Sequence, residues 1–286
     1  MILLIGATGR VGSAAARALL ASKTPFRALV RRPDNAGFDC DTVEVARGDL
    51  SDVASIKRAL HGITRALMVM GNHPDQAELE RQFATLAANA GVSHLVKVSS
   101  MEAGPGATAT LPKNHYGTEQ HIESLGIDWT FLRPNYFMQN MLMYSGSIAR
   151  TNSFALPLGD AKTAMIDARD VGEVAAVVLT TEGHAGQTYR LTGPELIDFY
   201  EVAARMSAVL DRPLSYLAQS PEAFREVLGQ FIQSAWQLDA VCELFAEIAA
   251  GSLEEQTSTT ADLLGRPAVS LNTFTQQFAG AFAPAS

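Results

Sequence analysis

Ile2-Leu3-Leu4-Ile5-Gly6-Ala7-Thr8-Gly9-Arg10-Val11-Gly12 is the stretch that decides the fold. Its apolar run meets a glycine, as a strand buried on both faces does. Residues 11–21 are rich in alanine and leucine and read as a helix. Between strand and helix, Gly6, Gly9 and Gly12 allow a tight turn, a close backbone approach and close packing of the helix on a sheet. The start of such a helix offers N–H groups and the positive end of a dipole to a phosphate. Gly6, Thr8, Gly9, Arg10, Val11 and Gly12 are therefore the expected seat of a dinucleotide pyrophosphate. The alternative is a glycine turn that holds no ligand.

Outward from this turn, β-rich runs alternate with amphipathic ones. Strands are expected at 26–30, 43–46, 66–70, 95–99 and 129–132, with helices at about 52–61, 75–90 and 114–125. This order predicts an α/β fold, a doubly wound parallel Rossmann sheet with helices on both faces. After Pro134 the pattern changes. A helix starts at Asp167-Ala168-Arg169-Asp170, and one more strand is expected at 187–191. Further helices are expected at 198–210, 221–234, 236–250, 260–264 and 271–280. The division that follows is a dinucleotide-binding domain over 1–150 and a smaller, mostly helical lobe over 151–286. Roughly residues 163–193 of the second half return to the first domain.

Composition narrows the partners. The chain has 286 residues, 47% hydrophobic and 18% charged, which suits a sizeable core and not disorder. Its 22 Lys and Arg against 30 Asp and Glu give a net charge of −8, so no broad nucleic-acid surface is expected. Cys40 and Cys242 stand in no CxxC or metal-like spacing, and a reduced, cytoplasmic setting is expected. No apolar run approaches the roughly 18 residues of a membrane span. The short apolar start carries no basic leader, so no signal peptide is expected. The expected partner is a small molecule. The oligomeric state stays open, a homodimer among the alternatives.

The end of the second strand bears on which dinucleotide. An Asp or Glu there would hold the ribose hydroxyls of NAD. Here the strand runs into Arg31-Arg32-Pro33, and guanidinium groups suit a 2′-phosphate. NADP(H) is the expected cofactor, with NADH allowed because Asp34 lies close by. Asp49 is expected either to accept from the adenine amino group or to serve as an ordinary turn aspartate. Met70-Gly71-Asn72 ends the fourth strand, where backbone approach would suit the ribose or nicotinamide. Ser99 and Ser100 end the fifth, at the carboxyl edge where such sheets bind ligands.

Several of these stretches, namely Gly6 to Gly12, Leu29-Val30-Arg31, Gly48-Asp49 and Trp129-Thr130-Phe131-Leu132-Arg133-Pro134, together resemble the NmrA-like group of atypical short-chain dehydrogenases/reductases. Arg190-Leu191-Thr192-Gly193-Pro194-Glu195 and Leu263-Leu264-Gly265-Arg266-Pro267 resemble the same group, so the similarity spans nearly the whole chain. The resemblance implies NAD(P)H binding, with Pro134 beside the cofactor. It implies either reduction of quinones, azo compounds or triphenylmethane dyes, or a non-catalytic regulator that senses the cofactor's redox state. Ordinary members of the superfamily carry a Tyr-x-x-x-Lys pair on the helix after the fifth strand. Here His115 stands at the expected tyrosine and Glu119 at the expected lysine, and this His-x-x-x-Glu pattern resembles the quinone and dye reductases of the group. An epimerase or dehydratase would need the missing tyrosine.

Physically, His115 and Glu119 at i and i+4 share a helix face. Glu119 is expected to orient His115 or raise its pKa, making a proton donor near neutral pH. The alternative is an ordinary surface pair, and with two ligands no metal site is expected. Ser99 is a further candidate to hydrogen-bond a substrate oxygen. Met101, Asn135, Tyr136, Phe137 and Met138 are expected either to line an adaptable apolar pocket for a flat substrate or to form plain core. Phe224, Phe231 and Trp236 either close over it or form the second lobe's own core. Asp167 and Asp170 are expected to be the N-cap and the first-turn acid of their helix. The leading expectation is an NADPH-dependent reductase of a quinone or similar conjugated acceptor.

Overall fold

All four residues of β1 (Ile2–Ile5) are buried in the computed structural model, which describes residues 1–33, 37–38 and 42–284. Asp34 and Cys40 lie outside the described residues. The first half continues as α1 (Arg10–Ala21), β2 (Phe26–Val30), β3 (Val43–Arg47), α2 (Val53–Ala59), β4 (Arg65–Met68), α3 (Gln76–Asn89), β5 (His94–Val98), α4 (Thr110–Glu123) and β6 (Asp128–Pro134). A 3-10 helix over Met138–Tyr144 leads to α5 (Ser145–Thr151), β7 (Ser153–Leu156), β8 (Lys162–Thr163), α6 (Ala168–Thr180) and β9 (Gln187–Leu191). The chain ends with β10 (Ile197–Asp198), α7 (Phe199–Leu210), β11 (Ser215–Ala218), α8 (Pro221–Gly229), α9 (Ala235–Ala249), α10 (Thr259–Leu264), α11 (Leu271–Gln277) and α12 (Ala279–Phe282).

Seven strands form one parallel sheet in the order β3-β2-β1-β4-β5-β6-β9. Alternate residues along each strand face opposite layers. Leu4, Leu67, Val96 and Leu132 pack with Leu19 of α1 and Val171 and Val174 of α6. Leu3, Ile5, Ala66 and Leu95 pack with Ile56, Phe83 and Ile122 on the other face. The strand order reverses between β1 and β4, so the Gly6–Gly12 turn opens at the switch point, where ligands enter such sheets. β9 returns from the second half of the chain to pair with β6.

The remaining helices and two small sheets, β10-β8 and β11-β7, enclose a second core that includes Phe154, Phe199, Tyr216, Phe245 and Phe274. Most boundaries fall within one or two residues of those expected, and three helices depart further. α4 begins at Thr110 rather than 114, because Pro112 falls in its first turn, where a missing N–H costs nothing. α8 ends at Gly229 instead of running to 234, and the expected 271–280 helix breaks at Phe278 into α11 and α12. Asp167 caps α6 by accepting from the Arg169 N–H. Asp170 accepts from Arg266 at 2.7 Å and from the Val269 N–H at 2.7 Å, which fastens the tail to the sheet's helical layer.

Candidate active site

The glycine turn has the shape of a phosphate cradle. Gly6 has φ +78°, and a Cβ placed on it would lie 2.3 Å from the Val69 carbonyl oxygen. A Cβ on Gly12 would lie 2.1 Å from the Gly6 carbonyl oxygen. Gly9 caps α1 through its backbone, no side chain blocks the helix start, and no acidic residue stands in the first turn. These features leave a concave backbone surface at a positive dipole end, which fits a pyrophosphate. Val11 is buried under the turn, while Thr8 and Arg10 are exposed. Arg10 donates to Asn140 Oδ1 at 3.3 Å, tying the turn to the segment after β6.

Arg31 and Arg32 follow β2 and are both exposed, and neither is ion-paired with another described residue. Asp49 accepts from the Ser51 N–H at 2.9 Å and from the Ser51 hydroxyl at 2.7 Å. These two bonds, with the nearby Arg31 and His73 charges, hold its carboxyl below the usual range. Both bonds go to one oxygen of Asp49, Oδ1, and hold it in its own turn. Met70, Gly71 and Asn72 come just after β4, and Ser99 just after β5, so all four are loop residues at the carboxyl edge.

At that edge a cavity of about 370 Å³ opens between the sheet and the helical lobe. Its sheet side carries the polar groups Asn72, Ser99, Ser100, Glu102, His115 and Asn135, with Pro134 beside them. Its lobe side is apolar, with Phe224, Leu228, Ile232, Val241, Leu244 and Phe245. Tyr136 and Phe137 line it as expected from the sequence; Met101 and Met138 do not. Met101 is buried in the second core, and its sulfur accepts from Asn135 Nδ2 at 3.1 Å. Met138 opens the 3-10 helix and packs into the same core. Phe231 is 75% exposed, and neither it nor Trp236 is part of the cavity wall.

The lobe docks on the helix that carries His115. Glu247 of α9 accepts from the N–H groups of Thr108 and Ala109, and Glu243 accepts from the Thr110 N–H at 2.9 Å. Carboxylates at a helix start suit the positive dipole end, so α9 caps α4 where α4 has no side-chain cap of its own.

The expected link between His115 and Glu119 is not the one formed. Glu119 is buried and held by Arg133, with Nε at 3.0 Å from Oε1 and Nη2 at 2.5 Å from Oε2. His115 Nδ1 instead lies 3.1 Å from Lys97 Nζ, and Lys97 is paired with Glu80 at 2.7 Å. Burial first, and the Lys97 charge second, push the His115 pKa well below its ordinary value, opposite to the rise expected from Glu119. His115 is therefore neutral near pH 7.

Two other polar groups face the cavity. Ser99 Oγ is buried and has no hydrogen-bond partner among the described residues. Glu102 accepts a short hydrogen bond from Ser100, and burial raises its carboxyl above the usual range. The sequence alone does not mark Lys97, Glu80 or Glu102 as site residues. The signal for Lys97 was present, since a lysine interrupts the apolar run His94-Leu95-Val96-Lys97-Val98 of a central strand. Among the described residues there is no group of three or more metal-binding side chains, and no helix long and apolar enough to cross a membrane.

The family model for the NmrA-like family matches residues 1–273. The chain belongs to the NmrA-like family. Its relatives include the NAD(P)H azoreductase of Xenophilus azovorans, 35% identical over the full length of both chains. A second is the (4-alkanoyl-5-oxo-2,5-dihydrofuran-3-yl)methyl phosphate reductase of Streptomyces griseus, 37% identical over 99% of this chain and 100% of that protein. Among solved structures, the NADPH complex of the quinone oxidoreductase QOR2 from Escherichia coli superposes with a TM-score of 0.89. It covers 97% of this chain and 99% of that one at 24% identity, which shows that the two share the NmrA-like fold.

Proposed function

We propose that this NmrA-like protein is an NADPH-dependent reductase of a flat, conjugated acceptor such as a quinone or an azo or dye-like compound. One observation carries the reading: the cavity at the carboxyl edge, tied to the glycine turn through Asn140 and Arg10, has hydrogen-bonding groups on its sheet side and mostly aromatic and aliphatic groups on its lobe side. A ring system stacks against such an apolar wall, while polar groups opposite it orient its heteroatoms. The azoreductase and the furanone phosphate reductase among the relatives are both named as reductases of conjugated compounds, which supports the reading.

NADPH, when bound, supplies the hydride. The chain's own residues do the rest. Gly6, Thr8, Gly9, Arg10, Val11 and Gly12 hold the pyrophosphate, and Arg31 and Arg32 hold the 2′-phosphate. Met70, Gly71, Asn72 and Pro134 would meet the ribose and nicotinamide. NADH is accepted more weakly, since it lacks the phosphate that the two arginines recognise. Ser99 and the neutral ring of His115 donate hydrogen bonds to the acceptor atom on which negative charge develops. Glu102, whose carboxyl burial raises above the usual range, relays the proton that completes the reduction. Phe224, Val241 and Phe245 exclude water and position the acceptor. Glu119 acts through Arg133 to hold α4 in place. A cofactor-sensing regulator, the competing expectation, has no need of such a cavity.

The test is a cavity-filling variant. Wild type consumes NADPH with members of a panel of quinones, azo dyes and triphenylmethane dyes. Val241→Trp loses that turnover and keeps its NADPH affinity. Unchanged turnover in Val241→Trp, or none in wild type with any acceptor, contradicts the reading.

A further inference from the structure

We infer that Lys97 and Glu80 are positioning residues for this reduction, fixing His115 as the tautomer with its proton on Nε2, so that the ring meets the acceptor as a hydrogen-bond donor. The inference rests on the cavity being the acceptor site. Its basis is a count of hydrogens. An ammonium has three N–H bonds and no lone pair. Lys97 Nζ has three neighbours: Glu80 Oε2 at 2.7 Å, His115 Nδ1 at 3.1 Å and the Val98 carbonyl oxygen at 3.3 Å. The two oxygens can only accept, and toward an ammonium Nδ1 must accept as well. A neutral ring whose Nδ1 accepts carries its proton on Nε2.

The surroundings leave this arrangement little freedom. Lys97 and Glu80 are both fully buried, and the second Glu80 oxygen accepts from the buried Gln76 amide at 3.2 Å. On its own helix, His115 has Glu119 as a charged neighbour one turn on, and Arg133 of β6 occupies that carboxylate. From the β5 end, the groups on the cavity wall are Ser99, Ser100 and Glu102. A proton added at Nδ1 would point at an ammonium. The sheet gains little from the pair itself, because a well-packed apolar pair often serves a protein interior as well or better. What the pair does provide is a fixed donor direction for the ring that lines the cavity.

The chemistry balances without a proton from His115. Two electrons and one hydrogen would pass as hydride from NADPH, which leaves as NADP⁺; a quinone or azo acceptor then carries one negative charge and takes one proton from solvent through Glu102, whereas a cationic dye is neutralised by the hydride and takes none. The His115 N–H hydrogen stays on the ring.

The test is nitrogen-15 NMR of the histidine rings in the full-length protein, with His115 assigned by the signal lost in His115→Gln. The expected wild-type spectrum shows His115 protonated at Nε2 and bare at Nδ1, unchanged from about pH 8 to about pH 6, across the ordinary histidine range. A signal for Nδ1–H, or for imidazolium over that range, overturns the inference. The variant Lys97→Met/Glu80→Gln removes both buried charges together. It is expected to mix the two tautomers and to lower kcat on the order of tenfold to a hundredfold while KM changes little. A folded double variant with one tautomer and wild-type kcat overturns the positioning role. If the double variant does not fold, the wild-type spectrum still decides the tautomer. Turnover with His115 protonated at Nδ1 overturns this inference and leaves the reductase reading standing. The expected tautomer without turnover on any acceptor removes the reductase reading, and the positioning role with it.

Discussion

Arg133 grips Glu119 with two nitrogens, at 3.0 Å and 2.5 Å, and the carboxylate is almost fully buried in that grip. The pair joins α4 to β6 behind the cavity. Glu119→Ala leaves a mostly buried guanidinium without its partner, and breaking such a pair costs on the order of 3–5 kcal/mol when both ends are buried. Because Arg133 keeps some solvent contact, the lower end of that range is expected in urea unfolding. The NMR signature of the His115 ring should not change. A stability loss near zero together with a changed His115 signal would return Glu119 to the role its spacing suggested.

The glycine turn is tested by adding one methyl group. Gly12→Ala places its Cβ against the Gly6 carbonyl, a backbone atom that cannot swing away. Overpacking of this kind costs about 1–3 kcal/mol. NADPH affinity measured by calorimetry should fall by roughly tenfold or more, with a lower Tm. Gly117→Ala is the control, since its Cβ would meet nothing within 4 Å inside α4. It should leave the Tm unchanged or raise it slightly, by the helix preference for alanine.

If Arg31 holds the 2′-phosphate as proposed, it separates the two nicotinamide cofactors. A charge-assisted contact to phosphate contributes about 1.5–3 kcal/mol. Arg31→Ala should therefore weaken NADPH binding by roughly tenfold to a hundredfold and leave NADH binding nearly as it was. Equal losses for both cofactors would remove Arg31 from phosphate recognition.

Acid should destabilise the fold before the carboxylates are titrated. Burial pushes the pKa of His94 down, and burial with the Lys97 charge pushes that of His115 down further. In the unfolded chain both rings take up protons near 6.5. The stability from keeping them neutral is fully present above that pH and is lost as pH falls from there toward the depressed folded values. The raised carboxyls of Glu102 and Asp170 act in the opposite sense, favouring the folded state as they protonate. Between about pH 7.5 and about pH 5.5 the Tm should therefore fall, and His115→Gln should flatten the slope. An equal slope in the variant would contradict the buried neutral ring.

Much of the fold could be read directly, because it depends on neighbours in sequence. The run from Ile2 to Gly12 states strand, turn and helix in eleven residues, and Asp167 announces its helix by position alone. The site was less legible. His115 was singled out, yet its partner comes from a strand residue 18 positions away and not from the helix face that spacing favours. Glu80 reaches Lys97 only because α3 packs beside β5. Met101 and Met138 share the apolar character of Tyr136 and Phe137, and composition does not say which of four such residues faces a cavity and which faces the core. Glu102 reads as a loop carboxylate until the lobe closes over it. The short strands β7 and β11 give too little pattern to be told from loop.

On the proposed function, an acceptor held in the cavity beside Ser99 and His115 takes hydride from NADPH seated on the glycine turn. A single-turnover stopped-flow experiment on the enzyme loaded with one equivalent of NADPH tests it most directly. On mixing with a quinone or azo acceptor, the NADPH absorbance should decay in one enzyme-dependent phase, and His115→Gln with Ser99→Ala should slow that phase by roughly a hundredfold or more. An absorbance that stays constant with every acceptor, while NADPH remains bound, would contradict the account.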